Sequence, residues 1–139
     1  MTINKNGFTL IEVLVAVGIL MIMFTGGIVS YRTAARNQAL EADYAKIIQT
    51  LREAQSNIRN GKKVNCVPPL EYWQVRLANK NMYLDEVCNG VTASTSSFDF
   101  SNVVSTTTVK FYPLSAGATP VTITLGTKTI IVSSVGDIQ

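Results

Sequence analysis

The chain has 139 residues, 47% of them hydrophobic and only 15% charged, with a formal net charge of +3. That length holds one domain, or one domain with an appendage, and the charged fraction lies below the roughly one quarter usual for soluble domains. Histidine is absent, which excludes histidine-based acid–base catalysis and histidine metal sites, and the mild positive charge lacks the dense basic stripe of a typical nucleic-acid binder.

The apolar excess lies at the N-terminus. Phe8 to Val29 hold a single charge, Glu12, and Val13 to Phe24 are apolar apart from Gly18. About 20 such residues span a bilayer as a helix. The preceding MTINKNG is short and polar, with Lys5 as its cation. A lysine on that flank keeps the leader cytoplasmic and places the remainder outside. A secretory signal is the rival reading, but TGGIVSYRTAARNQ, which follows Phe24, lacks a good A-x-A cleavage pattern. Neither a secretory signal nor an uncleaved signal anchor explains an acid inside the rod, which costs about 2.5–3.5 kcal/mol at the centre of a membrane helix. Gly18, Gly26 and Gly27 each weaken a helix by about 0.5–1 kcal/mol relative to alanine. The double glycine suits a kink or close helix packing.

The junction NG-FTLIEVLVAVGIL resembles the class III signal of type IV pilins and type II secretion pseudopilins. Gly7, Phe8, Thr9, Leu10, Ile11, Glu12 and the apolar run beyond carry the resemblance. It implies that a prepilin peptidase cuts after Gly7 and methylates the new amine of Phe8. It also implies that Glu12 meets the amine of a neighbouring subunit, so that an acid unpaired in the isolated anchor becomes paired on assembly and sets the register. The implied partners are other pilin or pseudopilin subunits in a helical filament, the peptidase, an assembly platform protein and its ATPase machinery. The implied location is the cytoplasmic (inner) membrane, crossed once with the head outside, and later a cell-surface or periplasmic filament. No cofactor is implied. A proline common in this region of major pilins is missing.

From Tyr31 the composition shifts, with Arg32, Arg36, Glu41, Asp43, Lys46, Arg52, Glu53 and Arg59 among apolar residues. Leu40, Tyr44, Ile47, Ile48, Leu51 and Ile58 fall at helical spacing and define one apolar face, which packs on a globular head. No proline interrupts Phe8 to Asn60. The spacing predicts a helix ending at Asn60-Gly61, where glycine suits the left-handed cap, and Lys62 and Lys63 suit its dipole.

Beyond Gly61, threonine, serine and valine dominate. Val64 to Pro69 reads as a loop. Tyr72 to Ala78 and Met82 to Val87 read as a hairpin about Asn79-Lys80-Asn81. Cys88-Asn89-Gly90 turns the chain, and the Ser/Thr-rich Val91 to Ser97 reads as a mobile surface loop. Phe98 to Val104, Thr107 to Tyr112, Val121 to Leu125 and Thr129 to Ser133 complete the strands, the last two as a hairpin about Gly126. Cys66 and Cys88 are the two cysteines. Two thiols so far apart do not make a zinc site. Outside the cytoplasm they read as a disulfide, and otherwise as two separate buried thiols. The tail, with Phe111, Pro113, Gly117, the Gly126 hairpin and Gly136, is similar to H-type minor pseudopilins and related minor pilins. One branch of that group binds DNA through basic residues near the terminal glycine, but here Asp137 and Ile138 follow Gly136.

The expected fold is α+β and pilin-like: a long N-terminal α-helix, transmembrane in its first half and amphipathic in its second, packed on a small antiparallel β-sheet head. The expected divisions are a cytoplasmic prepilin leader (1–7), a transmembrane and filament-core helix (8–29), an amphipathic helix continuing into the head (30–60), and the β-rich head (61–139). The expected function is a structural, pilin-like minor subunit of a type IV pilus or type II secretion pseudopilus. The alternative is a minor pilin whose head binds DNA or a secreted substrate, for which Arg52, Arg59, Lys62 and Lys63 form the basic cluster. Enzyme activity is not expected, because no histidine exists to activate the many hydroxyls. Asp85, Glu86, Asp99 and Asp137 follow no calcium-loop spacing.

Overall fold

The computed structural model describes residues 9–64, 69–113 and 117–139. One helix, α1 (Leu10–Arg59), precedes four strands: β1 (Leu70–Cys88), β2 (Val91–Phe111), β3 (Val121–Leu125) and β4 (Lys128–Val132). The strands form one antiparallel sheet in the order β1-β2-β3-β4. This is the expected α+β, pilin-like layout. The chain divides into two units, residues 1–38 and 39–139.

In the first unit every residue whose side chain is described, from Thr9 to Gln38, is exposed. The helix starts on the carbonyl of Thr9, which accepts the amides of Glu12 and Val13 at 3.0 and 3.3 Å. An 18-residue window of α1 reaches a mean hydropathy of 2.4, with none of it buried.

In the second unit the helix buries a stripe. Asp43, Ile47, Thr50, Leu51, Ala54, Asn57 and Ile58 are buried, at steps of three and four residues that keep them on one face. Ile47, Leu51, Ala54 and Ile58 enter one apolar cluster with Trp73, Phe111, Ile123 and Ile130 from the sheet. Full burial of each large apolar side chain contributes about 1.5–3 kcal/mol. The helix stops as its sequence dictates. Gly61 adopts φ +59, its amide bonds the carbonyl of Ile58, and the amide of Lys62 bonds that of Asn57 at 2.9 Å. This pair of bonds is a Schellman cap.

The first hairpin turns on Asn89 (φ 51) and Gly90 (φ 74), with Cys88 opposite Val91. Two positive φ values in a two-residue loop match the right-handed twist of the strands, and Asn-Gly is the pair best suited to them. The second hairpin pairs Leu125 with Lys128 across Gly126-Thr127.

Two expectations change. Val91 to Ser97 is not a surface loop but part of β2, with Ala93 opposite Glu86 and Ser97 opposite Tyr83. Threonine is at home in strands, and the Asn89-Gly90 turn delivers this segment alongside β1. Tyr72 to Ala78 and Met82 to Val87 belong to one strand, β1, which bends back on itself. Asp85 Oδ2 accepts from Gln74 Nε2 at 3.1 Å and Arg76 Nε at 3.3 Å. A straight strand at about 3.3 Å per residue would hold residues 76 and 85 roughly 30 Å apart. The reversal falls between Leu77 and Asn81, where the register shifts twice and Asn79 has φ 56. This is where the sequence placed its turn. β2 answers by inserting residues 100–103 between the pairs Asn81–Asp99 and Asn79–Val104.

That insertion is fastened to the helix. Asp43 Oδ2 accepts the amides of Ser101 and Asn102 at 3.1 and 3.0 Å, and Asn102 Nδ2 at 2.9 Å. At the far end of the sheet, Gln139 and Ile131 exchange two backbone hydrogen bonds, so the tail lies along β4.

Candidate functional site

Of the residues the sequence singles out, Gly7, Phe8 and Cys66 lie outside the described residues. Glu12 stands in the first turn of α1 and is exposed. Partly unpaired amides at a helix N-terminus carry a partial positive charge that favours a carboxylate there. The surrounding surface is apolar: Leu10, Ile11 and Leu14 are 81%, 71% and 65% exposed. Leu10, Val13, Leu14 and Val17 line one shallow apolar face at helical spacing, beside the acid. A single carboxylate in such a surface constrains whatever covers it, because on removal from water it must be paired with a positive or hydrogen-bonding partner or take up a proton.

Cys88 is buried at the end of β1. The chain leaving the helix runs close to this end of the strand. The amide of Val64 donates to both carboxylate oxygens of Glu86 at 3.1 Å, and Trp73 Nε1 donates to the carbonyl of Lys62 at 3.1 Å.

The basic cluster separates. Arg52 and Arg59 line a groove of about 320 Å³ with Gln55, Gly136 and Asp137, whereas Lys62 and Lys63 lie exposed on the segment leaving the helix. The four acids do not form one cluster, and Asp99 lies opposite Asn81 in the sheet. Asp85 and Glu86 are fully buried. Asp85 engages Gln74 and Arg76 through one oxygen, while its Oδ1 has no hydrogen-bond partner among the described residues. Glu86 holds the Val64 amide. Asp137 bonds Gln139. No group of three metal-ligating acids or cysteines occurs among the described residues.

Residues 3–28 match the family model for the prokaryotic N-terminal methylation motif. No curated protein and no solved structure matches the chain. The motif and the helix-then-sheet layout resemble those of a pilin-like precursor. The matched segment is consistent with the class III signal of the type IV pilins and type II secretion pseudopilins. That motif and the apolar helix fit a membrane-anchored pilin.

Proposed function

We propose that the chain is a structural subunit of a type IV pilus or a type II secretion pseudopilus, matured by cleavage after Gly7 and methylation of Phe8. It is anchored by α1 in the cytoplasmic membrane with its head outside, and a platform protein and an ATPase move it into the filament. The carrying observation is the methylation motif over residues 3–28, with Glu12 exposed in the first turn of an otherwise apolar helical surface. On this reading Glu12 pairs with the amine of Phe8 on a neighbour. The short head and the pattern of the tail favour a minor subunit.

Intact-mass measurement of membrane-extracted protein tests the processing. The expected mass begins at Phe8 and carries one added methyl. A form that keeps Met1 to Gly7, or begins beyond Val29, defeats the reading. Glu12→Val tests the pairing: membrane insertion is retained, since the buried charge is gone, while incorporation into sheared filaments is lost. Wild-type amounts of Glu12→Val in filaments would refute the role given to the acid.

A Cys66–Cys88 disulfide belongs to the same proposal. The bond from Val64 to Glu86 brings the backbone two residues before Cys66 to the strand that ends in Cys88. Closing a loop of about 20 residues contributes roughly 3 kcal/mol. Thiol labelling of the denatured, unreduced protein is expected to detect no free cysteine, and full labelling would refute the bond.

A further inference from the structure

The groove between the last two turns of α1 and the chain after β4 has no role in the account above. Arg52 and Arg59 lie seven residues apart, two turns and about 10.5 Å along one face of the helix. Both are exposed, and neither guanidinium has a hydrogen-bonding or ionic partner among the described residues. A cation in the last turn complements the helix dipole, which accounts for Arg59 but not for Arg52. The polar groups beside them make bonds of their own. Gln55 Nε2 donates to the carbonyl of Gly136 at 2.8 Å. Asp137 Oδ2 accepts from Gln139 Nε2 at 3.0 Å, and its amide donates to Ser133 Oγ. The groove therefore has fixed walls and two uncommitted guanidiniums, a donor set that matches a carboxylate in a forked geometry.

We propose that this groove receives a carboxylate side chain from the adjoining subunit of the filament, an inference that rests on the pilin reading. One observation favours a protein acid over a nucleic-acid backbone: the chain's charge of +3 is small for sequence-independent binding of a polyanion. The complementary charge is also present on this chain. Glu53 is exposed on another face of the same helical turn, without a partner among the described residues, and an adjoining copy of this chain would carry the same acid. A positive groove on one face and an acid on another make a heterologous contact, the kind that propagates into an open helix.

The test uses the full chain in a host that assembles the filament. Arg52→Glu with Arg59→Glu is expected to leave the membrane-extracted amount unchanged and to lower the amount in sheared filaments roughly tenfold or more, because like charges then face each other. Arg52→Lys with Arg59→Lys is expected to keep assembly. Its new amines permit zero-length carbodiimide coupling in intact filaments, and peptide mass spectrometry is expected to find a bond to an Asp or Glu of the adjoining subunit. Coupling to Asp137 of the same chain alone, or no coupling, overturns the inference. So does normal filament incorporation of the Glu variant, or incorporation kept while binding of duplex DNA is lost. Absence of the unsubstituted chain from filaments would instead overturn the pilin reading itself.

Discussion

The two stretches of α1 follow opposite rules. Between Leu10 and Gln38 the described side chains are exposed whether apolar or not, and Leu20, Ile22 and Phe24 are each more than half exposed. Between Ala39 and Arg59 the apolar side chains are sorted to one face and buried at Ile47, Leu51, Ala54 and Ile58. A helix apolar all round has no inside of its own, so its surface is matched to lipid or to other helices. A helix apolar on one side is matched to its own sheet. Only the second stretch obtains stability from the fold of a single chain, and the first is finished by its surroundings.

The largest break in this contrast comes from Trp73→Ala. Trp73 is 1% exposed and its indole holds Lys62, so the head is expected to lose about 3–5 kcal/mol, read by denaturant unfolding of the detergent-solubilised protein. Leu14→Ala in the first stretch is expected to change that transition by less than about 0.5 kcal/mol, as for surface substitutions. Equal losses would erase the distinction.

Asp43→Ala sharpens the boundary between the stretches. It removes an acceptor of three part-buried hydrogen bonds, at an expected cost of about 1–3 kcal/mol. Amide exchange at Ser101 and Asn102 is expected to accelerate with it, and unchanged exchange there would show that the bonds do not hold the insertion. The smallest effect belongs to Glu41→Gln. Glu41 and Lys128 form an ion pair at 2.6 Å, but the Glu41 side chain is 61% exposed. Solvent screening limits the loss to about 0–1 kcal/mol, and added salt is expected to abolish even that difference.

Much of this architecture was legible locally. Gly61 ends the helix where the sequence places a left-handed cap, and Asn89-Gly90 and Gly126-Thr127 turn the chain where their dipeptides do, because each signal acts within a few residues. The arm Val91–Ser97 was not legible, since its Ser/Thr content carries no apolar alternation and its pairing comes from the neighbouring strand. Nor was the burial of Asp43, whose donors lie 58 and 59 residues away. The proposed assembly site is readable as a motif because Gly7, Phe8 and Glu12 are close in sequence. The arginine groove is not, because Gln55 and Gly136, which brace it, are 81 residues apart.

The long β1–β2 hairpin also sets an order of events in time. Its Asn89-Gly90 turn closes over two residues, and pairing spreads outward from Cys88–Val91 through adjacent partners to Trp73–Phe111, each step adding only a short loop. Hairpins form in about 1–10 μs, and contacts of small sequence separation precede those of large separation because less chain entropy is lost in closing them. The Asp43 clasp joins residues that lie 58 and 59 positions apart in sequence, a longer closure than any single step of the hairpin. By sequence separation, docking of the helix on the sheet is therefore expected to follow hairpin formation.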